Sequence, residues 1–217
     1  MQTEREALLQ AALTHVPFEG MNDRALMAGA RDLGLPEAMA RIHFPQGGAG
    51  LAAAYHRRAD DALRDWLAET PPEGRFADRV TQAVRHRLEL VDPELVRAGA
   101  AILALPQNAG LGARLVWETA DAIWTGLGDR SRDVNWYSKR ATLAAVISAT
   151  VLFWLGDESP AHEETWGFLD RRIAGVMRFE GVKAQFKRLP GATALTGAAF
   201  GWIRAPHSRN LPGRTPR

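Results

Sequence analysis

The 217-residue chain contains no cysteine, which excludes disulfides, thiolate metal sites and a cysteine nucleophile. No run of about 18 apolar residues is present, so no stretch is long enough to cross a bilayer as a helix. Alternating apolar and polar residues over the length of a strand are missing too, and so is any internal repeat. What remains is ordinary globular composition, 46% hydrophobic and 24% charged, in a length suited to one domain with a small appendage. The opening Met1-Gln2-Thr3-Glu4-Arg5-Glu6 does not read as a signal or transit sequence. A cytoplasmic, bacterial-type chain resting peripherally on membrane is the expected setting.

Recognisable catalytic motifs are also missing. The chain has no GxSxG elbow, no P-loop and no strand-linked GxGxxG. His162-Glu163-Glu164-Thr165-Trp166 begins like HExxH but lacks the second histidine, which excludes zinc-protease chemistry. None of the six histidines follows a glutamate by three residues, as a di-iron bundle would need. Glu163 and Glu164 fit the N-terminal dipole of a helix better than an acid–base pair. Gly47-Gly48-Ala49-Gly50 has neither a preceding strand nor a lysine, so it opens a helix better than it cradles phosphate. No catalytic residue, metal or cofactor is expected.

The formal net charge of +2 hides an uneven distribution. Residues 171–217 hold 10 basic residues, eight of them arginine, against the single acid Glu180; the rest hold 17 basic and 24 acidic. An acidic body with a basic tail suits a polyanionic surface, although a solvated tail has the same composition.

Helical periodicity runs through almost the whole chain. Thr3 and Glu6 fit a capping box before Leu8, Leu9, Ala12, Leu13 and Val16. Asn22 or Asp23 caps a second helix closed by Gly34, and Pro36 at N1 opens a short third one. A longer helix carries Leu51, Tyr55, Leu63 and Trp66 and stops at Pro71-Pro72. Further helices follow from about Phe76, from the Asp92-Pro93 cap, and from Leu111 to Trp124. Ser131 or Asp133 caps a stretch running to Leu155. Being apolar on all sides, that stretch predicts a helix at the centre of a bundle. Ser159-Pro160 restarts the chain. The fold class is therefore all-α, with a helix-turn-helix unit (1–46), a helical bundle (47–189) and a basic tail (190–217). Three short helices on a helical body resemble the TetR-type arrangement.

DNA recognition by such a unit needs base-reading and phosphate-contacting cations. The recognition element Pro36–Ile42 offers only Arg41 and carries Glu37, and the helix before it adds Asp23 and Asp32. Because phosphate contacts supply most of the affinity, DNA is not expected as a partner. A ligand-responsive regulator is the alternative reading.

Residues 121–169 are the distinctive part. They hold Asp121-Ala122-Ile123-Trp124, Gly128-Asp129, Asn135-Trp136-Tyr137-Ser138-Lys139-Arg140 and Thr165-Trp166-Gly167-Phe168-Leu169 in order. This is similar to the accessory lipid-binding family of ubiquinone biosynthesis, marked by Asp-x-x-Trp, Gly-Asp, Asn-Trp-Tyr-x-x-Arg and Thr-Trp-x-Phe-Leu. The resemblance extends from Glu4 to Leu189 and is strongest after Leu111. It implies a TetR-like homodimer that no longer binds DNA and holds isoprenoid quinone lipid or phospholipid in an apolar pocket. It further implies that demethoxyubiquinone passes to a separate di-iron hydroxylase. Carried over by position, the hydroxylase-facing residues are Asp121, Ile123, Trp124, Trp136, Tyr137 and Arg140. Two tryptophans, a tyrosine and an arginine at one helix corner also have the composition of an interface hot spot. The alternative is that both tryptophans are core and Arg140 pairs with Asp121.

Candidate lipid-lining residues on the central helices are Leu143, Ile147, Val151, Trp154, Trp166, Phe168 and Leu169, each equally suited to packed core. The small residues Ala144, Ala145, Ser148, Ala149 and Thr150 leave room beside them. In the tail, Leu195, Trp202, Ile203 and Arg204 are expected to touch membrane through an interfacial amphipathic helix.

Overall fold

The computed structural model describes residues 2–131 and 134–187, the last nine by backbone alone. Among these residues there are nine α-helices and no strand. The helices are α1 (Gln2–Glu19), α2 (Asp23–Asp32), α3 (Glu37–His43), α4 (Gly47–Glu69), α5 (Phe76–Glu89), α6 (Pro93–Leu103), α7 (Ala109–Gly126), α8 (Val134–Trp154) and α9 (Glu163–Lys187). A single 3-10 turn, Pro160–His162, precedes α9. Thr3 already lies inside α1, so it is not a cap. Asn22 does cap α2, its side-chain oxygen accepting from the Arg24 and Ala25 N–H groups. Pro36 stands at the N-cap of α3 rather than at N1, with an extended ψ of 145° that keeps it outside the helix. Asp92 caps α6 with Pro93 in the first turn, as its sequence predicts. Asp133 falls outside the described residues.

Apolar side chains gather into two cores. The first joins Leu8, Leu9, Leu13 and Val16 of α1 to Leu26 of α2, Phe44 and the first half of α4, through Leu51 and Tyr55. The second joins Leu63 and Leu67 of α4 to Val80 and Val84 of α5, Ile123 of α7, Leu143 and Ile147 of α8, and Leu169 and Ile173 of α9. Helix α4 therefore runs through both, and a buried ion pair lies between its two apolar segments, as described below.

Two glycines set the close approaches. A Cβ on Gly29 would stand 2.5 Å from the Ala12 nitrogen, so α1 and α2 cross backbone to backbone. A Cβ on Gly48 would lie 2.3 Å from the Met21 carbonyl oxygen. The glycines that open α4 thus serve packing against the α1–α2 turn. Helix α8 departs from the expectation of all-round burial. Arg140, Leu143, Val146, Ile147, Thr150 and Trp154 are buried, but Leu152 is 72% exposed, and Ala141, Ala145 and Ser148 are exposed beside it. The unbroken apolar sequence hid this two-sidedness, because small residues on the outer face score as apolar.

Gly29→Ala places a methyl group against backbone that cannot move aside. The expected loss is about 2 kcal/mol, read as a melting temperature lower by roughly 5 °C. An unchanged melting temperature would contradict the close crossing.

Candidate functional site

The hairpin between α7 and α8 is organised around one cation. Arg140 is the largest fully buried side chain, 2% exposed. Its Nε donates to Asp121 Oδ1 at 2.5 Å and its Nη1 to Asp129 Oδ2 at 3.1 Å. Nη1 also reaches the Trp136 carbonyl at 3.2 Å, and the guanidinium carbon lies 4.0 Å from the Trp136 ring centroid. Lys139 closes the cluster, donating to Asp129 at 2.8 Å and Ser131 at 2.7 Å. Two cations thus face two carboxylates, which offsets much of the desolvation that either sign alone would suffer. Burial by itself would raise the Asp129 pKa; hydrogen bonds from Lys139, Ser131 and Arg140 outweigh it and lower the value from 3.8 to about 2.

Around this cluster the aromatic rings divide. Trp124 is buried, stacked on Phe76 at 5.1 Å, and its Nε1–H donates to the Lys139 carbonyl. Ile123 is wholly enclosed in the second core. Trp136 and Tyr137 turn outward: their rings meet edge to face at 4.8 Å, and Tyr137 is 37% exposed. Of the six corner residues named from sequence, Trp136, Tyr137 and Asp121 therefore present surface. Ile123, Trp124 and Arg140 hold that surface from within. Arg140 pairs with Asp121, as the core alternative has it, and also carries the Trp136 ring.

The sequence reading missed Trp117. Its ring approaches Trp136 at 5.9 Å and Tyr137 at 6.3 Å, making a three-ring patch. Trp117 stands four residues before Asp121 and seven before Trp124, the spacing of one helix face, and that spacing was the available signal.

Trp117 also lines an open cavity of about 650 Å³ bordered by α4, α5, α6, α7 and α8. It extends along α7 from Ala109 to Thr119, a length of about 15 Å at the helical rise. Helix α8 contributes Ala144, Ala145, Ile147, Ser148, Val151 and Leu152. Three of the small residues singled out in the sequence thus do leave open volume. Ala149 and Thr150 do not, and the Thr150 hydroxyl bonds back to the Val146 carbonyl.

Among the seven lipid-lining candidates, Ile147 and Val151 face this cavity. Leu143 faces a second one of about 410 Å³ that also meets Trp124, Lys139 and Ile173. Trp154, Trp166, Phe168 and Leu169 line neither, and their contacts explain why. Trp154 packs against the His162 ring. The Trp166 Nε1–H donates to the Ala161 carbonyl at 2.9 Å, Phe168 stacks on Phe153 at 4.7 Å, and Leu169 is enclosed in the second core. Thr165 gives both its N–H and its hydroxyl to Asp157, whose pKa the hydrogen bonds from Ser159 and Thr165 hold well below the usual carboxylate range. The Thr-Trp-x-Phe-Leu stretch therefore anchors the start of α9. Leu195, Trp202, Ile203 and Arg204 lie outside the described residues.

At the α4 wall the large cavity is polar. Asp60, fully buried, accepts from Arg87 Nε at 2.6 Å and from the Thr119 hydroxyl at 2.9 Å. His56 Nε2 meets the Thr119 oxygen at 2.8 Å and the Leu115 carbonyl at 3.2 Å. Burial first of all lowers the His56 pKa, to about 4, against the pull of Asp60, so the ring is neutral at pH 7. No group of three or more metal-ligating side chains occurs among the described residues, and no helix there is long and apolar enough to cross a membrane. Arg41 of α3 stands 3.5 Å from Asp23 of α2, leaving its charge partly neutralised.

A family model described as COQ9 matches residues 109–180, the stretch from the start of α7 into α9. The chain is 34% identical over 188 residues to ubiquinone biosynthesis protein COQ9, mitochondrial, of Drosophila melanogaster, covering 83% of this chain and 57% of the relative. It is 34% identical over 204 residues to the Rattus norvegicus protein of the same name, covering 88% and 65%. The chain thus spans less than two thirds of the length of either relative. In structure it resembles a TetR transcriptional regulator from Nitrosomonas europaea, with a TM-score of 0.61 at 19% identity, covering 79% of this chain and 97% of the regulator. The fold is therefore TetR-like, and at that identity the likeness carries fold alone.

Replacing Arg140 by methionine leaves buried Asp129 with Lys139 but without the second of its two cations, and lowers stability by about 3 kcal/mol, measurable by denaturant titration. The depressed Asp129 pKa contributes stability in full above about pH 4, and this is lost as pH falls toward 2. Asp129→Asn therefore flattens the acid limb of the stability–pH curve, with Asp157 and Asp78, also held below the ordinary carboxylate value, contributing to the slope that remains. An unaltered limb would contradict the ionic cluster.

Proposed function

The chain belongs to the COQ9 family of ubiquinone biosynthesis proteins, and from that premise we propose a non-catalytic, lipid-presenting role. The protein holds an isoprenoid quinone intermediate in the α4–α8 cavity and offers it to the demethoxyubiquinone hydroxylase at the three-ring corner, working as a homodimer. The observation that carries this reading is the continuity of the two features through Trp117. One ring borders a cavity long enough for an alkyl chain and also touches the outward Trp136–Tyr137 pair.

The chemistry supports each part. Cavity walls built largely from Ala, Leu, Val and Ile suit a hydrocarbon chain, for which burial is favourable at about 25 cal/mol per Å². An aromatic patch beside a carboxylate, held rigid by a buried ion cluster, suits a protein partner, since little side-chain entropy is lost on docking. The basic tail, residues 190–217, would rest on an anionic membrane surface through Leu195, Trp202, Ile203 and Arg204. The partial neutralisation of Arg41 by Asp23 weighs against the DNA-regulator alternative.

Trp136→Asp tests the hydroxylase contact. The variant is expected to fold, since Trp136 is only half-buried, and to weaken co-purification of the hydroxylase by at least tenfold. Wild-type capture of the hydroxylase by a folded variant would overturn the partner assignment.

A further inference from the structure

The cavity is not uniformly apolar, and its polarity has a direction. Tyr55, His56, Arg87 and Thr119 line it near Trp117 and Ala144, whereas Leu103, Ala109 and Leu152 line it some three helical turns away. A ligand with one polar and one apolar end has a single favourable orientation there.

The charge state of the polar end is set by its own bonds. Arg87 and Asp60 are joined at 2.6 Å with side chains 7% and 0% exposed, so their charges cancel inside the protein. Among the described residues no second buried cation stands beside them to balance an anionic headgroup. The neighbouring α4 cations are already paired, Arg57 with Glu118 of α7 and Arg58, which lies over the Tyr55 ring, with Glu6 of α1. Bringing in a phosphate or carboxylate would place a charge there with no partner to balance it.

Hydrogen-bond polarity narrows the class further. The Thr119 hydroxyl donates to both Asp60 oxygens, at 2.9 and 3.0 Å. Its oxygen is then an acceptor for His56 Nε2 at 2.8 Å, and the Leu115 carbonyl at 3.2 Å is an acceptor for the same nitrogen. The network therefore assigns the proton to Nε2. A neutral ring carrying it there presents Nδ1 as an acceptor. Arg87 uses Nε on Asp60 and Nη2 on the His56 carbonyl, and its Nη1 has no hydrogen-bond partner among the described residues. The Tyr55 hydroxyl is engaged by the Asp92 N–H, and at His56 and Arg87 the polar wall combines one acceptor with one donor.

We propose that this polar wall is a headgroup subsite for an uncharged, hydroxyl-bearing amphiphile, with the hydroxyl at His56 and Arg87 and the chain running toward Leu103 and Leu152. The subsite discriminates against anionic lipids. This deepens the lipid-presenting reading and rests on it. It also aims the polar end of the cargo at the end of the cavity nearest the aromatic corner.

Titration calorimetry with 1-dodecanol, dodecyl methyl ether, dodecyl phosphate and dodecane, delivered from cyclodextrin to the full chain, tests the proposal. Dodecanol is expected to bind about tenfold tighter than the ether, which has no proton to give, and at least tenfold tighter than the phosphate. His56→Phe should reduce dodecanol to the level of the ether and leave dodecane unchanged. Leu152→Trp, at the far end, should weaken all four probes alike. Phosphate binding equal to or tighter than dodecanol, or no preference for dodecanol over the ether, overturns the subsite while leaving a lipid cavity in place. Failure of every probe to bind overturns the lipid-presenting reading itself. The probe series on the unmodified protein decides the matter even if the His56 variant does not fold.

Discussion

Arg140 is the constraint on which the corner depends. A guanidinium buried to 2% is tolerable only when its charge and its donors are met, and here Asp121, Asp129 and the Trp136 carbonyl meet them. These partners come from the end of α7, from the connecting loop and from the first turns of α8. The loop is thereby held against both helices, and the Trp136 ring is held over the cation at 4.0 Å. Such clusters add little net stability compared with apolar packing of equal volume. Their effect is to fix one arrangement, and in this arrangement two aromatic rings stay on the surface instead of collapsing inward.

The second buried ion pair, Asp60 with Arg87, has a comparable role one layer deeper. It interrupts α4 between the two apolar cores and ties α4 to α5, while Thr119 brings in α7. Helix α6 lies across α4 and α1 and has only Gly99 buried among its own residues. Together with the small side chains on the facing stretch of α8, that light packing leaves a cavity of about 650 Å³ that opens to the surface along α8. The cavity and the corner are thus products of the same helices, α7 and α8, seen from opposite sides, and Trp117 belongs to both.

Much of this was legible in the sequence. Helix boundaries followed from Asn22, Asp92-Pro93 and Pro71-Pro72, because capping and proline geometry are local. The ordered motifs from Asp121 to Leu169 pointed to the family, and Ala144, Ala145 and Ser148 pointed to open space. The sequence could not separate Ile123, which is enclosed, from Trp136, which faces out, since burial at a helix corner is decided by partners far along the chain. Trp166 and Phe168 read as lipid contacts because they lie on or near the central helices. Their use in anchoring α9 depends on the Ala161 carbonyl and on Phe153, which only the folded turn brings near. The polar wall escaped notice because His56, Asp60, Arg87 and Thr119 are scattered over three helices.

The central claim is that the cavity carries a lipid. Native mass spectrometry of the protein purified gently from its own cells, followed by organic extraction and reloading, tests it most directly. The account predicts a folded species carrying an extractable isoprenoid that rebinds after removal. A protein that emerges empty and takes up no isoprenoid on reloading would contradict it.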